Sequence, residues 1–289
     1  MSTIINSKAN ETYPLWEERQ IPFFNQAALN DENRDGATIT SYLLEDGKAH
    51  GAVLVFPGGG YVKRVVHKEG EPIAKFINSL GLHAFVVNYR VHPYPPEISV
   101  IDGKRAVKYI RHHAGKFGVI KDKIGLIGFS AGGSVACHVT EFHDVADYAP
   151  FDAIDQESAR PDCGAFCYAP LSFKEDNIAS TDYNRMREMI PDERVLRQYL
   201  EKYSCDNNIR EDMPPLFLWH TVDDERVPVT ATIDFIKQLK QKNQSFECHL
   251  FPEGGHGAGI EASRMVPGMS EWPKLYHKWL ERIGMLNGE

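Results

Sequence analysis

The hexapeptide Gly128-Phe129-Ser130-Ala131-Gly132-Gly133 is the stretch of this 289-residue sequence whose residue types point most directly to chemistry. It has the form Gly-x-Ser-x-Gly and stands between a short apolar run and a helical stretch. A serine on a sharp strand-to-helix turn needs neighbours without bulky side chains, because the backbone there is strained and closely packed; the turn lifts the hydroxyl above the sheet edge. Glycines at 128 and 132, with Ala131 between, meet that demand. The pattern by itself is also that of a plain turn in a glycine-rich loop, so its weight depends on partners.

A serine hydroxyl is a weak nucleophile at neutral pH and needs a base within hydrogen-bond reach, itself oriented by a carboxylate. On a strand-turn-helix scaffold these follow in the order acid, then histidine, each on a loop after a later strand. The strand-like run 215–220 leads at once into Asp223-Asp224-Glu225-Arg226-Val227-Pro228, and the run 246–251 leads into Pro252-Glu253-Gly254-Gly255-His256-Gly257. Order and placement suit Ser130 as nucleophile and His256 as base. Asp224 is preferred to Asp223 as the orienting acid, because Asp-x-x-Val-Pro is the spacing of an acid just before the next helix; Asp223 then serves as a turn or capping residue. The other histidines show no comparable company.

Acyl transfer also needs N–H donors for the developing oxyanion, each worth about 3 kcal/mol when removed. Pro57-Gly58-Gly59-Gly60-Tyr61 ends an earlier strand, and the amides of Gly59 and Gly60, with that of Ala131 after the nucleophile, are the candidates. A phosphate loop is the rival reading of this glycine run, but no Lys-Ser or Lys-Thr follows at the required offset.

Together, Pro57-Gly-Gly-Gly-Tyr61, Gly128-Phe-Ser-Ala-Gly-Gly133, Trp219-His-Thr with Asp224-x-x-Val-Pro228, and Gly255-His256-Gly257 resemble the α/β-hydrolase superfamily of the esterase/lipase type. More narrowly they resemble small bacterial acetyl esterases and acetylxylan esterase-like proteins, over roughly residues 12–284. The resemblance implies an α/β-hydrolase fold: a mostly parallel central sheet with helices on both faces and a small helical cap. It implies a serine esterase acting on short-chain, above all acetyl, esters, with acetylated carbohydrates as a candidate class and no cofactor. Pro57 stands where hormone-sensitive-lipase-like proteins have a histidine before the three glycines, which weakens any transfer of bulky-acyl specificity. Sugar-hydrolase labels used in this group imply glycosidic chemistry, which by the usual route needs two opposed carboxylates rather than a Ser, Asp, His order. Two alternatives remain beside this reading: a peptidase of the same fold, which usually carries a large extra domain, and a catalytically silent hydrolase-fold binding protein.

The elements that must hold these residues read as alternating short strands and longer helices, the signature of stacked βαβ units. Strands are expected at 52–56, 83–89, 124–127, 165–168, 216–220 and 246–251, with helices near 68–80, 100–117, 229–242 and 271–284 and one opened by the 128–133 turn that runs toward Glu141. No linker or repeat divides the chain, so one domain is expected over 1–289. Residues 1–35, with Trp16, Phe23 and Phe24, read as an arm or edge hairpin pinned by its aromatics. Two segments fall outside the alternation: the acidic, turn-rich 142–161, and 172–213, a candidate cap in which Val195, Leu196, Tyr199, Leu200 and Tyr203 space as an amphipathic helix. Arg90 is expected to pair with an acid near its loop, and Asp102 to start a helix.

Composition bounds the partners. At 42% hydrophobic and 25% charged residues the chain can build a sizeable core, which excludes disorder. Forty Asp and Glu against thirty-two Lys and Arg give a net charge of −8, which argues against nucleic acid. No apolar run approaches the roughly 18 residues of a membrane span, and the first residues lack signal-peptide features, so a cytoplasmic protein is expected. The five scattered cysteines read as reduced structural thiols. His112-His113 and His138 with His143 lack metal spacing and clustered Cys or Glu partners, so no metal is expected. The expected partner is a small-molecule ester; the chain is compatible with an oligomer but does not specify one.

Overall fold

The computed structural model describes residues 10–17, 21–34, 36–178, 184, 186–188 and 190–286. Eight strands form one sheet in the order β1-β2-β4-β3-β5-β6-β7-β8. They are β1 (Thr12–Pro14), β2 (Thr38–Tyr42), β3 (His50–Phe56), β4 (His83–Asn88), β5 (Val119–Phe129), β6 (Cys163–Cys167), β7 (Leu216–Thr221) and β8 (Phe246–Phe251). β1 and β2 pair antiparallel, as do β2 and β4; every other pairing is parallel. The helices named below are α1 (Val66–Glu69), α2 (Glu71–Ser79), α3 (Pro96–His112), α4 (Ala114–Phe117), α5 (Ala131–Glu141), α6 (Glu193–Lys202), α7 (Thr230–Gln241) and α8 (Trp272–Arg282).

The continuous apolar runs are strands buried on both faces, and their alternation feeds two cores. Ala52, Leu54, Phe56, Phe85, Val87, Leu126, Leu216 and Leu218 pack on the side of α3, α5 and α7. Val53, Val55, Val86, Ile127, Phe129, Phe217 and Trp219 pack on the opposite side, against Ile73 and Ile77 of α2 and Trp272, Tyr276 and Trp279 of α8. Parallel pairing sends the C-terminal ends of β3, β5, β7 and β8 to one edge of the sheet, where ligands bind in open α/β sheets.

The structure adds β1 and β2 to the expected strands. Thr-Ile-Thr-Ser-Tyr is short and half polar, and it becomes a strand by antiparallel pairing with β4. Helix α3 starts at Pro96, before the expected position, because proline is tolerated in a first turn whose N–H groups have no partner anyway.

Asp102 does not start that helix. It is fully buried in α3, where its carboxylate takes the Arg90 backbone N–H and guanidinium together with the Trp16 indole N–H at 2.8 Å. The Arg90 partner is therefore Asp102 itself. A buried pair of this kind is costly to break, about 3–5 kcal/mol, because one charge is left without its counter-ion. Trp16 pins the arm as expected, with the Arg105 guanidinium 4.8 Å above its ring. Phe23 and Phe24 do not: they are 54% and 53% exposed. That part of the arm is held by polar backbone contacts instead, Arg90 donating to the Pro22 carbonyl and the Asn25 N–H donating to the Tyr94 hydroxyl.

The 142–161 segment clamps onto α3 through ion pairs of Asp147 with Lys104 and of Asp152 and Asp155 with Arg105. In the 172–213 segment, Asp192 caps α6, accepting from the Arg194 and Val195 N–H groups. Leu196 and Leu200 pack with Phe173 in a small separate cluster, while Val195 lies at the wet edge of the stripe, 44% exposed. Residues 1–9, 18–20 and 35 of the arm, and 179–183, 185 and 189 of the candidate cap, lie outside the described residues.

Candidate active site

Ser130 follows β5 and caps α5 in a conformation, φ 51° and ψ −128°, that a residue with a Cβ seldom adopts. Close packing around the turn leaves no room for side chains nearby. A Cβ on Gly132 would lie 2.2 Å from the Phe56 carbonyl oxygen, and one on Gly128 2.3 Å from that of Gly132. The turn is held by the Ser130 N–H donating to the Cys167 carbonyl. Strain is thus fixed by both neighbouring strands and points the hydroxyl out of the sheet edge.

The loop after β8 brings His256 to that hydroxyl, with Oγ 2.8 Å from Nε2. Nδ1 of the same ring is 2.7 Å from Asp224 Oδ2, on the loop after β7. With Nδ1 facing a carboxylate, its proton sits there and Nε2 is left to accept the serine hydroxyl. Asp224 Oδ1 takes the N–H groups of Arg226 and Val227, both at 2.9 Å. Burial works to raise the Asp224 carboxyl, but hydrogen bonds from His220 and His256, and then the backbone, outweigh it and hold it far below the usual carboxylate range. Asp224 therefore keeps its charge in mildly acidic solution.

Asp223 faces the other way. Its two oxygens accept the N–H groups of Gly254 and Gly255 at 3.1 and 2.9 Å, so it latches the histidine loop rather than touching the histidine. These bonds lower its carboxyl. Gly254, Gly255 and Gly257 all have positive φ, which lets this loop fold back over the sheet edge.

Gly59 and Gly60 line the same cavity as Ser130 and His256. Gly59 sits at φ 140°, where a Cβ would meet the Lys63 carbonyl oxygen at 2.0 Å. Ala131 opens α5, so its amide lies at a helix N-terminus, where the helix dipole favours negative charge. None of these three amides donates to an acceptor among the described residues. All are free for a developing oxyanion.

Four residues that sequence reasoning missed complete the arrangement. His220, fully buried on β7, lies 3.2 Å from Asp224 Oδ2 through Nε2 and 2.8 Å from the Thr232 hydroxyl through Nδ1. It does have company, contrary to the sequence reading; its spacing of four from Asp224 and its place in the Trp219-His-Thr motif were the signals. Arg264 donates to the carbonyls of His256 and Gly257, both at 2.7 Å, and braces the histidine loop from its far side. Glu69, buried at the end of α1, accepts the Gly58 N–H at 2.7 Å and the Tyr168 hydroxyl at 2.7 Å. Tyr168 in turn lies edge-on to the His256 ring, centroids 5.1 Å apart, and its hydroxyl accepts the Gly259 N–H. One carboxylate therefore ties the glycine loop to the floor beneath the histidine.

Replacing Glu69 with alanine leaves the Gly58 N–H and the Tyr168 hydroxyl buried without their acceptor, each worth about 1–3 kcal/mol. The expected result is a fall in kcat on p-nitrophenyl acetate of tenfold or more in a chain that remains folded by circular dichroism. An unchanged kcat would show that the glycine loop holds its shape without Glu69.

The cavity at the sheet edge has a volume of about 880 Å³. Its described wall combines the polar heads of Lys63, Lys68, His92, Glu188, Arg226 and Arg264 with apolar surface from Val62, Val65 and the aliphatic stems of the long side chains. Glu188 belongs to the 172–213 segment, which thus reaches the cavity.

Three comparisons bear on this site. The family model described as BD-FAE matches residues 42–239. In solved structures, the chain is similar to an acetyl ester-xyloside bifunctional hydrolase from Caldicellulosiruptor lactoaceticus, at 35% identity and a TM-score of 0.85 over 96% of this chain and 97% of that one. Among curated proteins it is 32% identical to endo-1,4-beta-xylanase B of Butyrivibrio fibrisolvens over 80% of this chain and 36% of that protein. It is 25% identical to the acetylxylan esterase of Xylanibacter ruminicola over 89% of this chain and 52% of that protein. The chain thus spans between about a third and a half of the length of these two curated relatives.

Proposed function

Because this chain belongs to the BD-FAE family and has the α/β-hydrolase fold, we propose that it is a serine carboxylic-ester hydrolase that removes short acyl groups, acetyl above all, from esterified carbohydrates. The observation that carries this reading is the continuous relay from Asp224 through His256 to Ser130, in the cavity that Gly59 and Gly60 also line. In the first step Ser130 Oγ attacks the ester carbonyl while His256 Nε2 takes its proton, and the carbonyl oxygen, now anionic, is held by the Gly59, Gly60 and Ala131 amides. The tetrahedral species collapses, His256 returns the proton to the leaving alcohol, and an acyl-serine remains. Water, activated by the same nitrogen, attacks the acyl carbon, and the carboxylic acid leaves as Ser130 regains its proton. Asp224 keeps the imidazole in the required tautomer and stabilises the imidazolium in both steps.

The charged and polar heads around the cavity support the carbohydrate side of the reading. Long acyl chains need continuous apolar surface to bury, at roughly 25 cal/mol per Å², and here that surface is interrupted by charged heads. Cationic and polar side chains suit hydroxyl groups on a sugar. The same reading takes the chain as one domain with residues 172–213 as its cap. It also takes the chain as cytoplasmic, where the five free cysteines would stay reduced; none of the described helices is long and apolar enough to cross a membrane.

The test is a panel of p-nitrophenyl esters from acetyl to octanoyl, run beside acetylated xylo-oligosaccharides and an aryl xyloside. The expected kcat/KM is highest for acetyl and falls at least tenfold by octanoyl, acetate is released from the oligosaccharide, and the xyloside is left intact. Absence of all ester turnover, with no labelling by a fluorophosphonate, would favour a silent binding protein of the same fold.

A further inference from the structure

Helix α5 carries Cys137 and Glu141 four residues apart, so both project from one face. The chain that follows α6 brings Cys205 to that face. One ligand atom from each, two sulfurs and a carboxylate oxygen, lie within 4.8 Å of one another, and all three residues are buried. Cys137 Sγ is 3.6 Å from Glu141 Oε1, and Cys205 Sγ is 3.5 Å from His138 Nε2. Tetrahedral metal–ligand bonds of about 2.0–2.3 Å separate ligand atoms by roughly 3.3–3.8 Å, so the Cys137–Glu141 pair already stands at a tetrahedral edge.

Glu141 gives the independent sign that something is to be bound. It is 1% exposed, and its second oxygen, Oε2, has no hydrogen-bond partner. No Lys or Arg side chain bonds its carboxylate among the described residues. Buried carboxyl oxygens are normally satisfied, and an orphan one costs about 1–3 kcal/mol or more. No donor on the described residues reaches that oxygen, and two soft sulfurs beside one carboxylate oxygen are the donor set of a zinc-class cation.

We propose that Cys137, Cys205 and Glu141 form a structural site for a thiophilic divalent cation of the zinc class, with a solvent molecule as the fourth ligand, since His138 Nε2 is held by the Tyr203 carbonyl at 2.8 Å. Binding releases the protons of both thiols, and that of the carboxyl if present, to solvent, and forms two metal–sulfur bonds and one metal–oxygen bond. The ion joins α5, whose first turn follows Ser130, to the segment leaving α6. None of the three residues lines the cavity that holds Ser130 and His256, so the ion acts on stability and not on turnover.

The experiment unfolds the full chain and refolds it with Zn²⁺ or with Co²⁺ as the spectroscopic probe. The expected result is one metal per chain, strong tetrahedral visible bands and thiolate-to-cobalt charge transfer in the near ultraviolet, and a Tm about 5 °C or more above the metal-free chain. A Cys137→Ser, Cys205→Ser double variant loses the bands and the Tm gain while keeping p-nitrophenyl acetate turnover. If that variant does not fold, Glu141→Gln, which keeps both thiols, is expected to weaken Co²⁺ retention. No metal uptake by the wild-type chain, uptake with only the weak bands of oxygen and nitrogen ligands, or a Cys137–Cys205 disulfide in the purified protein would each overturn the proposal.

Discussion

Ser130→Ala is expected to abolish ester hydrolysis, lowering kcat on p-nitrophenyl acetate by about 10⁵–10⁶-fold, because removing the nucleophile of a triad costs nearly as much as removing the whole unit. The substitution deletes one oxygen that bonds only His256, and alanine carries the same Cβ into the strained turn, so the Tm should move little. The variant should also resist fluorophosphonate labelling that modifies the wild-type chain at a single serine. Retained turnover in a purified variant, with the Tm unchanged, would place the nucleophile elsewhere.

The two adjacent aspartates give the second large contrast. Asp224→Asn is expected to lower kcat/KM by about 10⁴-fold, since an amide no longer fixes the imidazole tautomer. Here the loss goes further. Asp224 accepts from His256 and lies within hydrogen-bond distance of His220 on one oxygen, and it takes two backbone N–H groups on the other. An asparagine NH₂ must face one of these sets, donor against donor, so the Tm falls as well. Acid does not substitute for the mutation, because the carboxyl is held below its usual range. Asp223→Asn keeps one acceptor for the Gly254 and Gly255 amides and loses their charge assistance, about 1 kcal/mol on a loop and not in the relay, so kcat/KM should drop less than tenfold. Equal losses for the two variants, measured with the same ester, would reject the assignment.

The difference between these aspartates shows how far the sequence reaches. The Asp-x-x-Val-Pro spacing singles out Asp224, the one of the two that the structure sets against His256, and the cause is local: Asp224 bonds the N–H groups two and three residues ahead of it. The latch made by Asp223 spans more than thirty residues and left no mark that spacing could display. His220 lay between. Its distance of four residues from Asp224 was readable, but burial against Thr232 is what turns the ring toward the carboxylate.

The arm and the cap segment mark the same limit. Aromatic content alone made Trp16, Phe23 and Phe24 equivalent anchors, yet only Trp16 has an N–H that the buried Asp102 can accept. A phenyl ring has no such handle, and both phenylalanines stay at the surface. Likewise the linear search found no Cys or Glu company for His138, although the chain after α6 delivers Cys205 to within 3.5 Å of it.

What the sequence by itself determined is whatever depends on neighbours in the chain: doubly buried strands written as unbroken apolar runs, a serine turn that only glycine can flank, and loops that follow each strand in the order serine, acid, histidine. These follow from sterics and hydrogen bonding within a few residues. Tertiary structure alone decided the supports, namely Glu69 beneath the glycine loop, Tyr168 under His256, Arg264 behind it and the Cys137, Glu141, Cys205 cluster. Glu69 and Tyr168 are 99 residues apart, and such pairs meet only because parallel strands deliver their ends to one edge. A buried carboxylate must find donors wherever the fold places them, and that demand leaves no period or spacing in the chain.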